Sequence, residues 1–148
     1  MNYDRYYTCD VVNGEGIRLT LFVTGCTHAC PGCYNRSTWD RKAGRPFTAA
    51  VRDEILDQCA RHDGLSLSGG DPLHPHNRAA VLDLCRAFKA RYPDKDIWLW
   101  TGFSYEEVCA LPVMAYLDVV IDGRYREDLP TVKPWRGSDN QRLIRLRA

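Results

Sequence analysis

Cys26, Cys30 and Cys33 lie in the run Gly25-Cys-Thr-His-Ala-Cys-Pro-Gly-Cys-Tyr-Asn35, with the spacing C-x3-C-x2-C. Thiolates this close in sequence cannot all point into a core, but they can converge on one metal centre. Three ligands suit a cubane of four irons and four sulfides with one iron left open, because electron-carrying clusters normally use four cysteines. An open iron can hold a small molecule, which would make an electron carrier into a catalyst. Zinc is the alternative, with His28 as a fourth ligand. His28 lies between Cys26 and Cys30, where so tight a loop would struggle to deliver four ligands tetrahedrally. It reads instead as a solvated loop residue.

Ser68-Gly69-Gly70-Asp71-Pro72 is the second constellation. Paired glycines let backbone approach a ligand closely, since no Cβ stands in the way. Exposed N–H and C=O groups there can recognise a charged amino-acid moiety, and Asp71 adds a carboxylate. Alone, such a turn is common; after a strand, in a chain with the cysteine triplet, it reads as a binding element.

The elements that must position these motifs alternate between strand and helix patterns. Leu19–Thr24, Gly64–Ser68, Asp96–Thr101 and Leu117–Asp122 are short apolar runs that read as strands. Thr48 is a good N-cap for a helix that places Val51, Ile55 and Cys59 on one face. Asn77 can cap the next helix, whose stripe is Val81, Leu84, Cys85 and Phe88. Ser104 and Glu107 form a capping-box pattern, and Pro112 limits the short helix that follows. The Arg142–Arg147 tail reads as an edge strand. Runs apolar on both faces, joined by helices, predict parallel strands. A closed eight-stranded barrel usually needs about 250 residues, and this chain has 148. The expected fold is therefore α/β, an open partial (β/α) barrel of mainly parallel strands, with 1–148 as one domain. The strands exit through Thr24-Gly25, Ser68–Asp71, Thr101-Gly102 and Asp122-Gly123, and ligands gather at the carboxyl ends of parallel strands.

Composition narrows the class. Apolar residues make up 45% and the formal net charge is +1, an ordinary balance that argues against nucleic-acid binding. No apolar run approaches a membrane span, and the N-terminus lacks a secretory signal's apolar stretch. A cytoplasmic location follows, where thiols stay reduced. Of seven cysteines, Cys59 and Cys85 fall in helical apolar stripes, while Cys9 and Cys109 stand alone; all four read as structural or incidental. Asp118 and Asp122 read as structural or solvated. Trp39, Trp98, Trp100 and Trp135 read as core or interface residues.

The triplet resembles the cluster loop of radical S-adenosylmethionine enzymes, whose pattern is C-x3-C-x2-aromatic-C with the aromatic usually just before the third cysteine. Here Gly32 precedes Cys33 and Tyr34 follows it. That departure resembles one subgroup, the anaerobic ribonucleoside-triphosphate reductase activating proteins, as do Val12–Gly16 with Arg18, Leu67–Pro75, Trp98–Gly102, Asp122-Gly123 and Trp135–Gln141. The resemblance spans nearly the whole chain and implies a radical S-adenosylmethionine type of fold. It implies that Cys26, Cys30 and Cys33 hold a [4Fe-4S] cluster whose open iron chelates the amino and carboxylate groups of S-adenosylmethionine. Gly32, Cys33 and Tyr34 would border that ligand, and Ser68, Gly69, Gly70 and Asp71 would contact its methionine part. The superfamily often has Glu where Asp71 stands.

The implied activity is reductive cleavage of S-adenosylmethionine to a 5′-deoxyadenosyl radical, which forms a glycyl radical on the large subunit of the reductase. A flavodoxin-like donor would supply the electron, and the assembly would be a homodimer or a heterotetramer with the reductase. Rival readings are an activase for another glycyl radical enzyme, such as the formate-lyase type, a small-molecule enzyme of the deazaguanine-forming type, or a zinc-stabilised binding module without catalysis. No general acid or base is expected. The Arg136–Gln141 segment reads as a partner surface, a neighbour of the ligand's ribose or a plain C-terminal turn.

Overall fold

The computed structural model describes residues 1–147. It is a mixed α/β fold around one seven-stranded sheet in the order β3-β1-β2-β4-β5-β6-β7. The strands are β1 (Asn2–Asp10), β2 (Arg18–Val23), β3 (Arg45–Pro46), β4 (Gly64–Gly69), β5 (Asp96–Trp100), β6 (Val119–Asp122) and β7 (Arg142–Arg145). The helices are α1 (Ala49–Gln58), α2 (Arg78–Arg91) and α3 (Tyr105–Val108), supplemented by short 3₁₀ turns. The inner strands β2, β4, β5 and β6 are parallel and neighbour one another in chain order. Antiparallel strands flank them, with β1 and β3 on one side and β7 on the other. The order runs from β3 to β7 without returning, so the sheet is open.

The four expected parallel strands and the C-terminal edge strand all form, with ends displaced by one or two residues. The N-terminal strand β1 was not anticipated. Its register shifts between Tyr3 and Arg5 and again between Tyr7 and Asp10. Each bulge resets the period-two alternation that marks a strand in sequence. Cys9, at φ +55°, sits in the second irregularity.

Alternate residues of the inner strands face opposite ways. Leu19, Leu21, Val23, Leu65, Leu67, Ile97, Leu99 and Val120 form the main core with Ile55 and Cys59 below the sheet and with Val81, Leu84, Cys85 and Phe88 of α2. The reverse face differs from the apolar surface expected there. It carries buried Arg18, Thr20 and Ser66 beside a small cluster of Trp98, Val119 and Ile121. Its polar groups are satisfied by one another, by β4 backbone, by the end of β1 and by the loop that precedes β2. The Arg18 guanidinium donates to Ser66 Oγ at 2.7 Å, Glu15 O at 2.9 Å and Leu65 O at 3.0 Å. Ser66 Oγ donates to Asn13 O and Thr20 Oγ1 to Asp10 Oδ2. Asp96 Oδ1 is 2.7 Å from Arg18 Nη2 but outside hydrogen-bond alignment, so that contact is an undirected ion pair.

The caps expected at Thr48 and Ser104 form. Thr48 Oγ1 accepts from Val51 N, and Glu107 closes the box back to Ser104 N. Asn77 does not cap α2 with its side chain. Its Nδ2 instead donates to Thr24 O at 2.8 Å and Asp71 O at 3.1 Å, tying the exits of β2 and β4 together. Its Oδ1, the atom that a cap would use as acceptor, is buried without a partner.

Candidate metal centre

Strand β2 delivers the chain into a loop whose neck is closed by backbone. Gly25 N donates to Thr38 O at 2.8 Å and Cys26 N to Trp39 O at 3.0 Å. Between these bonds the loop folds tightly: Cys33 N donates to Cys30 O, and Ala29 and Gly32 both have positive φ, at +52° and +75°. Alanine rarely adopts this region, which marks Ala29 as the unusual position of the turn.

The loop meets the carboxyl ends of the other parallel strands around one cavity. Cys26, Cys30, Cys33 and Tyr34 line it, facing Ser68, Gly69, Gly70 and Asp71, with Trp100–Gly102 and Gly123 from the next two exits. Of the residues expected to hold the cluster or border its ligand, Gly32 alone is not on the wall. A Cβ at Gly32 would lie 2.1 Å from Glu127 Oε2, so the position where an aromatic would stand is covered by the segment after β6. That segment also supplies Tyr125, Gly137 and Gln141 to the cavity, which places part of the ambiguous Arg136–Gln141 stretch at the site. Gln141 accepts from Gly137 N and donates to Gly123 O. Trp39 and Trp100, expected only as core or interface residues, line the cavity as well.

The glycine pair has a reason beyond ligand approach. At Gly69, with φ +110°, a Cβ would lie 2.4 Å from Val23 O; at Gly70 it would lie 2.7 Å from Gly25 O. Glycine is required because the β2 exit passes against the turn. Gly70 N donates to Val23 O and Asp71 N to Gly25 O. Those two N–H groups are consumed inside the fold and are not free for a ligand.

His28 is the clearest departure from expectation. Its side chain is 4% exposed and Nε2 is 2.6 Å from Asp71 Oδ2. Its ring packs edge-on against Phe103 with centroids 4.6 Å apart. The partner that buries it is 43 positions away in sequence, which no local pattern reveals.

All three loop thiols are free and partly buried. Burial pushes the Cys26 thiol up to about 11, with Asp71 and the two neighbouring thiols adding to the effect. Loading a metal must therefore expel this proton, which couples binding to pH. Among the described residues, no three His, Cys, Asp or Glu side chains are gathered for a single ion. Thiolates on one zinc sit within about 4 Å of each other, given Zn–S bonds of about 2.3 Å. Those on separate irons of a cubane stand wider apart. Cys59 and Cys85 are buried in the core, and burial pushes both thiols up to about 12, as expected of inert packing residues. Cys9 and Cys109 are exposed and lie off the cavity. Three soft donors on one cavity wall fit a cubane with one iron free of protein.

Residues 12–144 match the family described as a 4Fe-4S single cluster domain. An anaerobic ribonucleoside-triphosphate reductase-activating protein of Enterobacteria phage T4 is 54% identical over 145 residues, covering 97% of this chain and 93% of the relative. Proteins of the same name from Escherichia coli K12 and Vibrio cholerae are each 48% identical, covering 99% of this chain and 100% and 99% of theirs. This chain belongs to the anaerobic ribonucleoside-triphosphate reductase-activating protein family. The fold adds one plain fact to that membership: no helix among the described residues is long and apolar enough to cross a membrane.

Around the mouth, the family chain carries an aromatic pair. Tyr34 is 84% exposed, and its ring lies 5.4 Å from that of Tyr125. The hydroxyl–hydroxyl contact between them pushes Tyr125 up to about 12. Asp122, at the β6 exit, is buried and accepts from Tyr105 N and Arg142. Asp118 accepts from Lys89 and Ile97 N. Both carboxylates have the structural roles expected of them.

Proposed function

We propose that this chain is a radical S-adenosylmethionine activase that installs a glycyl radical on the large subunit of anaerobic ribonucleoside-triphosphate reductase. The observation that carries the proposal is the meeting of Cys26, Cys30 and Cys33 with the Ser68–Asp71 turn on one cavity at the carboxyl ends of parallel strands. The names of relatives about half identical to it point the same way. The consecutive order of the inner parallel strands supports reading the open sheet as a partial (β/α) barrel forming one domain.

In this reading Cys26, Cys30 and Cys33 hold a [4Fe-4S] cluster. Bound there, the cluster supplies single electrons that cleave S-adenosylmethionine to methionine and a 5′-deoxyadenosyl radical, which takes hydrogen from a glycine α-carbon of the reductase. The chain's own residues bind, orient and exclude. The carbonyl side of the Gly69-Gly70 turn accepts from the ligand's ammonium, while Ser68 and Tyr34 shape its surroundings. Trp39 and Trp100 form apolar wall that limits water at the reacting bond. Tyr34 and Tyr125 stand at the rim, where a partner loop must pass. A flavodoxin-like protein is the proposed electron source, and the cytoplasm the proposed compartment. No side chain is assigned a general acid or base role.

Electron paramagnetic resonance of anoxically reconstituted, dithionite-reduced protein tests this reading. A reduced [4Fe-4S] signal that changes on adding S-adenosylmethionine is expected, followed by a glycyl radical signal when the reductase large subunit is added. A cluster signal indifferent to S-adenosylmethionine, or a zinc-containing protein without sulfide, would overturn it.

A further inference from the structure

Asp71 has no capacity left for a ligand. Its carboxylate is 2% exposed, and both oxygens are filled from inside the fold. Oδ1 accepts from Leu73 N at 2.9 Å and from Thr101 Oγ1 at 2.9 Å. Oδ2 accepts from Gly102 N at 3.0 Å and from His28 Nε2 at 2.6 Å, and Thr101 Oγ1 also lies 3.0 Å away. A carboxylate offers about four lone-pair sites, and four donors occupy them. The carboxylate is thus a hub joining its own turn, the β5 exit and the cysteine loop.

His28 is the only spoke that comes from the cysteine loop. Arg124 Nε lies 3.4 Å from Nδ1 as a donor, which assigns the proton of the neutral ring to Nε2, facing Asp71. Phe103 closes one side of the ring. Gly102 closes another, since a Cβ there would fall 2.4 Å from the imidazole. The ring therefore has a fitted slot at the β5 exit, midway between Cys26 and Cys30.

We propose that His28 is a positioning residue, a latch whose bond to Asp71 fixes the cysteine loop against the Gly69-Gly70 turn. The two halves of the proposed site, metal ligands and ligand-binding backbone, are set relative to each other by this bond. Removing it frees the loop in two measurable ways: the cluster becomes easier to strip, and its response to S-adenosylmethionine weakens. The second effect rests on the proposed S-adenosylmethionine chemistry; the first rests only on a cluster at the three cysteines.

The test compares reconstituted wild type with His28→Ala, His28→Gln, Asp71→Asn and the His28→Ala/Asp71→Asn double variant. Glutamine can place an amide N–H where Nε2 stands. Iron and sulfide content, the rate of cluster loss to a chelator and the affinity for S-adenosylmethionine read by the cluster signal are measured on each. His28→Ala is expected to load a full cluster, lose it several-fold faster and bind S-adenosylmethionine roughly tenfold more weakly. His28→Gln should recover most of both. The double variant should be no worse than the worse single variant, the signature of groups that act through one contact. Additive effects, or a His28→Ala variant as retentive as wild type, would overturn the latch. A wild-type cluster that ignores S-adenosylmethionine would instead defeat the proposed function, and the latch would then stand or fall on chelator rates alone.

Discussion

The two faces of the central sheet bury their side chains by opposite means. The helix-covered face is a continuous apolar core, with Leu19, Leu21, Leu65, Leu67, Ile97 and Leu99 fully buried against α1 and α2. The reverse face buries a guanidinium, a threonine and a serine, satisfied by one another, by the end of β1 and by the loop between β1 and β2. The first face gains stability wherever apolar area leaves water. The second gains it only if every donor finds its acceptor. Stability assembled that way depends on loop geometry, and loops at strand ends are what the proposed site is made of. The contrast extends to the cysteines: Cys59 and Cys85 serve the apolar face, whereas Cys26, Cys30 and Cys33 serve the cavity.

The sharpest way to break this division is to exchange cysteines one at a time. Cys26→Ala, Cys30→Ala or Cys33→Ala should each reduce bound iron and sulfide to background and abolish the reduced-cluster signal, while thermal stability of the metal-free protein changes little. Cys85→Ala should do the reverse, retaining the cluster and losing about 1–2 kcal/mol, since it removes a buried sulfur from a packed core. Parallel metal analysis and metal-free melts check both. If Cys85→Ala lost the cluster, or Cys30→Ala unfolded the metal-free chain, the two sets would not be separable.

How much of this was open to reading from residues alone follows the same line. Runs such as Leu19–Thr24 and the stripe of Val81, Leu84, Cys85 and Phe88 declare their partners by period, because an apolar face needs only another apolar face. The spacing of the cysteine loop and the glycine exits was equally local, and both arrive at one cavity. The failures at polar residues share a cause. Asn77 looked like a cap, but its acceptors belong to residue 24 and to the turn at residue 71. His28 looked solvated, but its acceptor and its slot come from β4 and β5 exits. Arg18 gave no sign that its partners would include a serine 48 positions away. Strand β1 was hidden by its own bulges. Polar pairing over long sequence separation leaves no periodic trace.

A pair of substitutions measures the faces against each other. Leu84→Ala should cost about 2–5 kcal/mol, the transfer free energy plus that of the cavity left behind. Arg18→Met should cost about 2–4 kcal/mol by leaving the Leu65 and Glu15 carbonyls without their donor. Asp96, 39% exposed, can turn to water and limits the loss. Urea unfolding of both metal-free variants gives the comparison. An Arg18→Met variant as stable as wild type would mean that the polar face specifies the loop over it rather than stabilising the sheet, as buried ion pairs sometimes do.

The smallest effect expected lies at the sheet edge, where β7 is pinned to α3. Arg142 forks onto Glu106, with contacts of 3.0 and 2.7 Å, while also reaching Asp122. The hydrogen bonds from Arg142 hold the Glu106 carboxyl down at about 2, against an ordinary 4.5. A carboxyl whose folded pKa is depressed contributes stability that is fully present above the unfolded value. That contribution is lost as pH falls from about 4.5 towards 2. Both side chains are at least half exposed, so the contribution is small and salt-sensitive. Glu106→Gln should therefore melt slightly below wild type at pH 6 in low salt, and the gap should narrow below pH 4.5, closing towards pH 2, and close at 1 M salt. A gap that survives acid would show that Glu106 acts by packing rather than charge. β7 would then be held to the sheet by its ladder with β6 and by Asp122, whose side chain is 2% exposed.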